Sequence, residues 1–175
     1  YKLSLDDEIR IPPYLINFKE NMDDIKIPSS RLIEFESSII DQNDDFILVN
    51  KEPGLSVHSG TNNQFGLVDI ARAKFPSLEI DLCHRIDKST SGCVLLSKNK
   101  LFLRHFHKQL INNNVTKKYE AILIGVMKKN IKVESNLDSS TKEHLHKVQE
   151  SVAGKKAISA FKILKKYKLF TYVEI

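Results

Sequence analysis

His84-Arg85-Ile86-Asp87-Lys88-Ser89-Thr90-Ser91-Gly92-Cys93-Val94-Leu95-Leu96 holds the densest set of polar and reactive groups in the chain, and it runs directly into an apolar segment. The apolar end, Cys93 to Ser97, predicts a short buried strand, so the residues before it form a polar loop pinned to the interior. A loop held on a rigid strand is a good mount for catalysis. Within it, the cationic neighbours Arg85 and Lys88 would keep the Asp87 carboxylate ionised at neutral pH, available as a nucleophile or a base. An Asp beside Ser, Thr and Gly is also a common turn former, and the residues alone leave both readings open.

Outward from this segment, the apolar spacing from Phe65 to Phe75 predicts a helix that Pro76 ends, and Asn99 is placed to cap a second helix with Phe102, Leu103, Phe106 and Leu110 on one side. That helix should fade at Asn112-Asn113-Asn114. Ile33 to Ile40 and Asp45 to Asn50 read as strands, followed by a turn at Lys51-Glu52-Pro53-Gly54. Lys117 to Val126 reads as a further strand, and Ala157 to Lys165 with Tyr167 to Ile175 as a strand pair. Ser135 to Gly154 is polar without clear periodicity. The order of elements is α+β rather than a βαβ alternation, and no internal repeat is found.

The first residues alternate around an acidic turn and stop at Pro12-Pro13, which reads as the last hairpin of a small domain over residues 1–13. Residues 14–31 read as a polar linker, with the main domain spanning 32–175. The chain begins at Tyr1 without Met or a secretory signal and stops at Ile175 inside an apparent strand, so both ends are expected to be cuts.

The chain's 175 residues are 41% hydrophobic and 28% charged, the balance of a globular protein able to bury a core without disulfides or a structural metal. Its longest apolar stretch, Ala121 to Met127, is far short of the roughly 20 residues a membrane span needs. Cys83 and Cys93 are the only cysteines, which favours a reducing cytoplasm and two buried small apolar side chains over a disulfide framework. Charge is unevenly spread. Tyr1 to Gly54 holds 6 basic and 12 acidic residues, whereas Leu55 to Ile175 holds 21 and 10. The larger part would attract a polyanion such as RNA or DNA, although lysines such as Lys128, Lys129, Lys165 and Lys166 could equally be solvated on strand ends and loops.

The loop His84-Arg85-Ile86-Asp87-Lys88-Ser89-Thr90-Ser91-Gly92 resembles the His-Arg-Leu-Asp-x-x-Thr-Ser-Gly signature of the RluA-type pseudouridine synthases, with Ile86 in place of Leu. Three further blocks follow that family's order: Ile47 to His58, Leu95-Leu96-Ser97-Lys98, and Lys118-Tyr119-Glu120-Ala121-Ile122-Leu123-Ile124-Gly125. The resemblance covers nearly the whole chain. The opening is similar to the end of the S4-type RNA-binding domain found in several branches, and Tyr1-Lys2-Leu3, Ile11-Pro12-Pro13 and Phe65-Gly66 look most like the RluC branch.

The resemblance implies an α+β catalytic fold around a mixed, mainly antiparallel central sheet with flanking helices. It also implies isomerisation of selected uridines of large-subunit ribosomal RNA to pseudouridine, by detaching the base from ribose carbon 1 and rejoining it through carbon 5. In that family the Asp of the motif is essential, which maps onto Asp87, as attacker of carbon 1 or as base at carbon 2. Tyr119 corresponds to the family Tyr, which can stack on the uracil and take the carbon 5 proton. Arg85 matches the residue associated with extruding the base and filling its gap, and His84, Lys88 and Thr90 belong to the same substrate-binding loop. Lys51 and His58, in the Lys-x-Pro-Gly and Val-His positions, are expected to be loop-shaping or RNA-proximal residues and are given no chemistry. The family carries a second block, Thr-Gly-Arg-Thr-His-Gln-Ile-Arg, after a strand similar to Phe170 to Ile175, and its Arg is expected to pair with the catalytic Asp. This chain ends before it and is read as a fragment of an active enzyme.

His105 and His107 diverge on a helix, and neither they, His144-x-His146 nor the cysteines form a metal-binding pattern, so no metal and no organic cofactor is expected. A glycosidase would need a second converging carboxylate, and nothing gives Asp81 that part. A catalytically incomplete RNA-binding remnant is the rival from another class, against which intact Asp87, Tyr119 and Arg85 argue. The expectation is a cytoplasmic, monomeric enzyme acting on ribosomal RNA, without DNA or membrane partners.

Overall fold

The structure, a computed structural model, describes residues 26–60, 64–142, 145–150 and 154–175. The hairpin expected over residues 1–13 and most of the linker at 14–31 lie outside the described residues. The chain divides into two compact units, one ending at Asn114 and the other running Val115–Ile175.

In the first unit, helix α1 (Ser29–Ser37) is followed by β1 (Ile39–Gln42), β2 (Phe46–Lys51), α2 (Leu67–Lys74), β3 (Asp81–Leu82), β4 (Gly92–Ser97) and α3 (Lys100–Ile111). The strands lie in the order β1-β2-β4-β3. Strand β2 runs antiparallel to β4 in continuous register from Phe46↔Ser97 to Lys51↔Gly92. Alternation sends Ile47 and Val49 of β2 and Val94 and Leu96 of β4 to the inner face, where each is fully buried. Helix α2 covers that face with Leu67, Val68, Ile70 and Ala71, and Phe35 of α1 joins them. Its ring meets Phe75 edge-on at 6.4 Å.

Ile33 to Ile40, expected as a strand, is corrected by the structure: Ser29–Ser37 is helical and only Ile39–Gln42 is extended. The alternation of Ile33 with Phe35 was misleading, because Ile33 is exposed while Leu32, Phe35 and Ile39, at spacings of three and four, face the core. The expected helices are present. The Asn99 side chain accepts the Phe102 amide (2.8 Å) at the start of α3, and the left-handed Asn113 lies just beyond its end. None of the described helices is long and apolar enough to cross a membrane.

The second unit is a sheet of β5 (Glu120–Ile124), β6 (Ile131–Lys142), β7 (Leu145–Glu150), β8 (Lys155–Lys166) and β9 (Phe170–Glu174), ordered β5-β9-β8-β6-β7. Strands β8 and β9 pair as expected. The segment Ser135 to Gly154, to which the sequence assigns no period, is largely a β6–β7 ladder from Leu137↔Glu150 to Lys142↔Leu145. A ladder is made by backbone groups and needs no apolar alternation. Every ladder among the described residues is antiparallel, and the fold is α+β.

Candidate active site

The polar loop is suspended between β3 and β4 by three anchors. At its start the Cys83 amide donates to the Leu95 carbonyl (3.0 Å), and the Leu95 amide donates to Nε2 of His84 (3.1 Å). That bond needs a lone pair on Nε2, so the ring proton of neutral His84 sits on Nδ1. The imidazole is half-buried and lies 6.2 Å from the Phe106 ring of α3. Two residues on, Ile86 plugs into the main core with only 7% exposure. Its neighbours Arg85 and Asp87 are both exposed. A buried residue between two exposed ones thus fixes the backbone from which the carboxylate and the guanidinium project into solvent.

The third anchor is Lys51. As the inward residue following Ile47 and Val49 on β2, it is 1% exposed, yet its ammonium is fully engaged. Nζ donates to the carbonyls of Glu52 (2.8 Å), Leu55 (2.8 Å) and Lys88 (3.3 Å). The Lys88 carbonyl also accepts the Gly54 amide at 2.7 Å. The Pro53-Gly54 turn and the polar loop are therefore clamped together through one peptide oxygen. Gly54 (φ +90°) and Gly92 (φ +122°) occupy backbone conformations that side chains resist, at the turn and at the loop's exit into β4. Burial pushes the Lys51 pKa down, while the charges of Glu52 and Asp87 oppose that shift, so the clamp's cation also acts on the loop's carboxylate.

The loop tightens through the Thr90 amide donating to the Asp87 carbonyl (3.1 Å), so Asp87 is a turn former as well as a candidate reactive group. Among the described residues no ion pair or hydrogen bond engages the Asp87 carboxylate, and none joins it to Arg85. Asp81, the other nearby carboxylate, is held differently. Arg72 (2.7 Å) and Lys100 (2.5 Å) bind its two oxygens, leaving it committed to structure. Burial raises its pKa, but these two cations outweigh burial and hold it below the ordinary carboxylate value. The Cys83 thiol is buried, which pushes its pKa up to about 12, but the expectation of two buried cysteines is corrected at Cys93, which is exposed because it alternates with inward-facing Val94 on β4. Among the described residues, no three of His, Cys, Asp and Glu form a group that could hold a metal ion.

His84, Arg85, Asp87, Lys88 and Thr90 thus share one loop of the first unit. Tyr119 belongs to the second, immediately before β5, where its amide donates to the Ile175 carbonyl (2.9 Å) and its carbonyl accepts the Ile175 amide (2.8 Å). Its side chain is 38% exposed. Lys51 is the residue to which sequence reasoning gave too little weight. The signal was its place in the period-two series Ile47, Val49, Lys51, which puts a charge on a buried face.

The sequence pattern of the RNA pseudouridylate synthase family matches residues 45–175. The ribosomal large subunit pseudouridine synthase C of Buchnera aphidicola subsp. Baizongia pistaciae is 35% identical over 178 aligned residues, covering 100% of this chain and 56% of the relative. The protein of the same name from Escherichia coli is 33% identical, over 99% of this chain and 55% of its own length. The chain therefore spans about half the length of the curated relatives it matches. In fold it is similar to human RNA pseudouridylate synthase domain containing 4, with a TM-score of 0.66 at 22% identity, covering 83% of this chain and 62% of that one.

Proposed function

The chain belongs to the RNA pseudouridylate synthase family, and from that premise we propose that the whole protein isomerises selected uridines of large-subunit ribosomal RNA to pseudouridine, with Asp87 as the essential carboxylate. The observation that carries the reading is the loop itself. Ile86 and Lys51 hold it from inside, and Asp87 is presented to solvent, its carboxylate in no ion pair among the described residues. The ribosomal target is supported by the names of the relatives, which are ribosomal large subunit pseudouridine synthases.

In the reaction the bond between ribose carbon 1 and the uracil nitrogen breaks. The freed base turns, a bond forms from carbon 1 to carbon 5, and the carbon 5 proton leaves while the detached nitrogen 1 takes one up, so that no proton is gained or lost overall. No electron acceptor or water is consumed. An ionised Asp87 serves either by attacking carbon 1 or by removing the carbon 2 proton, and both require the carboxylate against the sugar. Tyr119 stacks on the uracil and accepts the carbon 5 proton, and Arg85 fills the space left by the extruded nucleotide. Unstacking costs a few kcal/mol, which a planar guanidinium offsets by stacking on neighbouring bases. The enzyme works as a cytoplasmic monomer without metal or organic cofactor.

Tritium release from RNA labelled at carbon 5 of uridine tests this, using the full-length protein and its Asp87→Asn form. Release by the unaltered protein alone, with RNA affinity of the variant within about twofold, is the expected result, because the lost charge acts in the transition state. Undiminished release by Asp87→Asn would remove the carboxylate from the chemistry. Silence from both proteins, with salt-sensitive RNA binding, would favour a binding protein without activity.

A further inference from the structure

The five-stranded unit holds a built feature that the proposed chemistry does not use. At the end of β5 away from Tyr119, the turn at residues 125–130 lies against the β8–β9 turn at 167–169. The Gly125 amide donates to the Leu169 carbonyl (2.8 Å). The Thr171 hydroxyl, fully buried, donates to the Gly125 carbonyl (2.8 Å) and accepts the Met127 amide (2.9 Å). The Ile163 amide donates to Asn130 Oδ1 (2.9 Å), and Lys166 Nζ donates to the Lys128 carbonyl (3.2 Å). Two turns that would each be loose alone are stapled into one support.

That support displays Lys128, Lys129, Lys165, Lys166 and Lys168, all exposed, and among the described residues none of these five pairs with a carboxylate. Elsewhere in the same unit Lys118, Lys132 and Lys156 do pair, with Glu174 or Glu134. Lys165 Nζ stands 5.2 Å from the centroid of the Tyr167 ring, which is 45% exposed. The wider composition agrees: Val115–Ile175 holds 13 lysines, no arginine and 6 acidic residues, whereas the rest of the chain holds 14 basic and 16 acidic. Five like charges on a rigid support repel one another, and among the described residues no carboxylate pairs with them to offset that cost. An incoming polyanion would. Lysines act as point charges on phosphate and do not read base edges.

We propose that this double turn is a docking platform for the sugar-phosphate backbone of RNA away from the reacting nucleotide, with the five lysines neutralising phosphates and Tyr167 offering a ring for stacking. The proposal rests on the reading that the protein acts on RNA. A strand rise of ~3.3 Å per residue separates Tyr119 from Gly125 by about 20 Å, so the platform grips a part of the RNA several nucleotides from any base held at Tyr119. Its contribution is independent of sequence and sensitive to salt.

The test compares the full-length protein with Lys165→Gln/Lys166→Gln/Lys168→Gln and with the corresponding triple arginine form, by filter binding to a ribosomal RNA fragment between about 50 and about 200 mM salt. The glutamine form is expected to bind about tenfold more weakly and to lose about 2 from the slope of log K against log salt, with the arginine form keeping both. A second pair, Lys128→Gln/Lys129→Gln, on the other turn, should move both quantities in the same direction. Unchanged affinity and slope in both glutamine forms would overturn the platform and leave the RNA reading standing, as would equal loss in the arginine form. Failure of the unaltered protein to bind RNA would overturn both.

Discussion

A lysine ammonium that is 1% exposed has lost its water and must find replacement partners inside the protein. Lys51 finds three carbonyls, and one of them, Lys88, belongs to the loop that carries Asp87. Its stabilising effect and its effect on the site are thus the same contacts. Lys51→Met keeps the length of the side chain and removes the donors, leaving the Glu52 and Leu55 carbonyls short of a partner. The expected cost is about 2–4 kcal/mol in urea unfolding, together with a loss of tritium release larger than the stability change explains. A loss below about 0.5 kcal/mol, the range of an ordinary surface substitution, would mean that water replaces the ammonium and that the clamp has little weight. Motif reading located the loop because its residues are adjacent in the chain. It placed Lys51 among loop-shaping positions but not against its partner, since Lys51 lies 37 residues from Lys88 and no spacing links them.

Elements were legible where one face is buried. The α2 period and the Cys93 to Ser97 strand follow from apolar residues that meet the core, the α3 period from Phe102 and Phe106, the first of which stacks on Phe46 of β2, and Asn99 announced its helix because capping is a local act. Ser29–Ser37 was obscured because exposed Ile33 imitated a strand, and β6–β7 because backbone pairing leaves no hydrophobic trace. Asp81 of β3 joins two of these helices, taking Arg72 from α2 and Lys100 from α3. Its pKa is depressed on folding, so the stability it contributes is complete above its unfolded value of about 3.9 and is lost as pH falls through the folded value. Partly exposed partners keep that contribution to about 1 kcal/mol. Between pH 5 and pH 3 (about one unit either side of the unfolded value), the urea midpoint of the unaltered protein should therefore drop further than that of Asp81→Asn. Parallel pH profiles for the two proteins would show that the ion pairs add nothing.

Across the whole molecule, the candidate carboxylate and the excess positive charge fall in different compact units: Asp87 before Asn114, and a net +7 after it. Among the described residues Asp87 and the double-turn lysines have no partner in common. The charge of Asp87 acts on Lys51, whereas Lys166 donates to the Lys128 carbonyl and Lys165 stands over the Tyr167 ring. Groups with no shared partner contribute additively, within about 0.5 kcal/mol. The factor by which Lys165→Gln/Lys166→Gln/Lys168→Gln weakens RNA binding should then be the same, to about twofold, whether residue 87 is Asp or Asn. Filter binding of the four proteins at one salt concentration measures it. Additivity would mean that chemistry and grip are carried separately, so that catalysis can be lost while the RNA is still held. A coupling of tenfold or more (about 1.4 kcal/mol) would instead require that backbone docking on one unit reorganises the loop on the other, and a two-state account of the whole enzyme would replace the additive one.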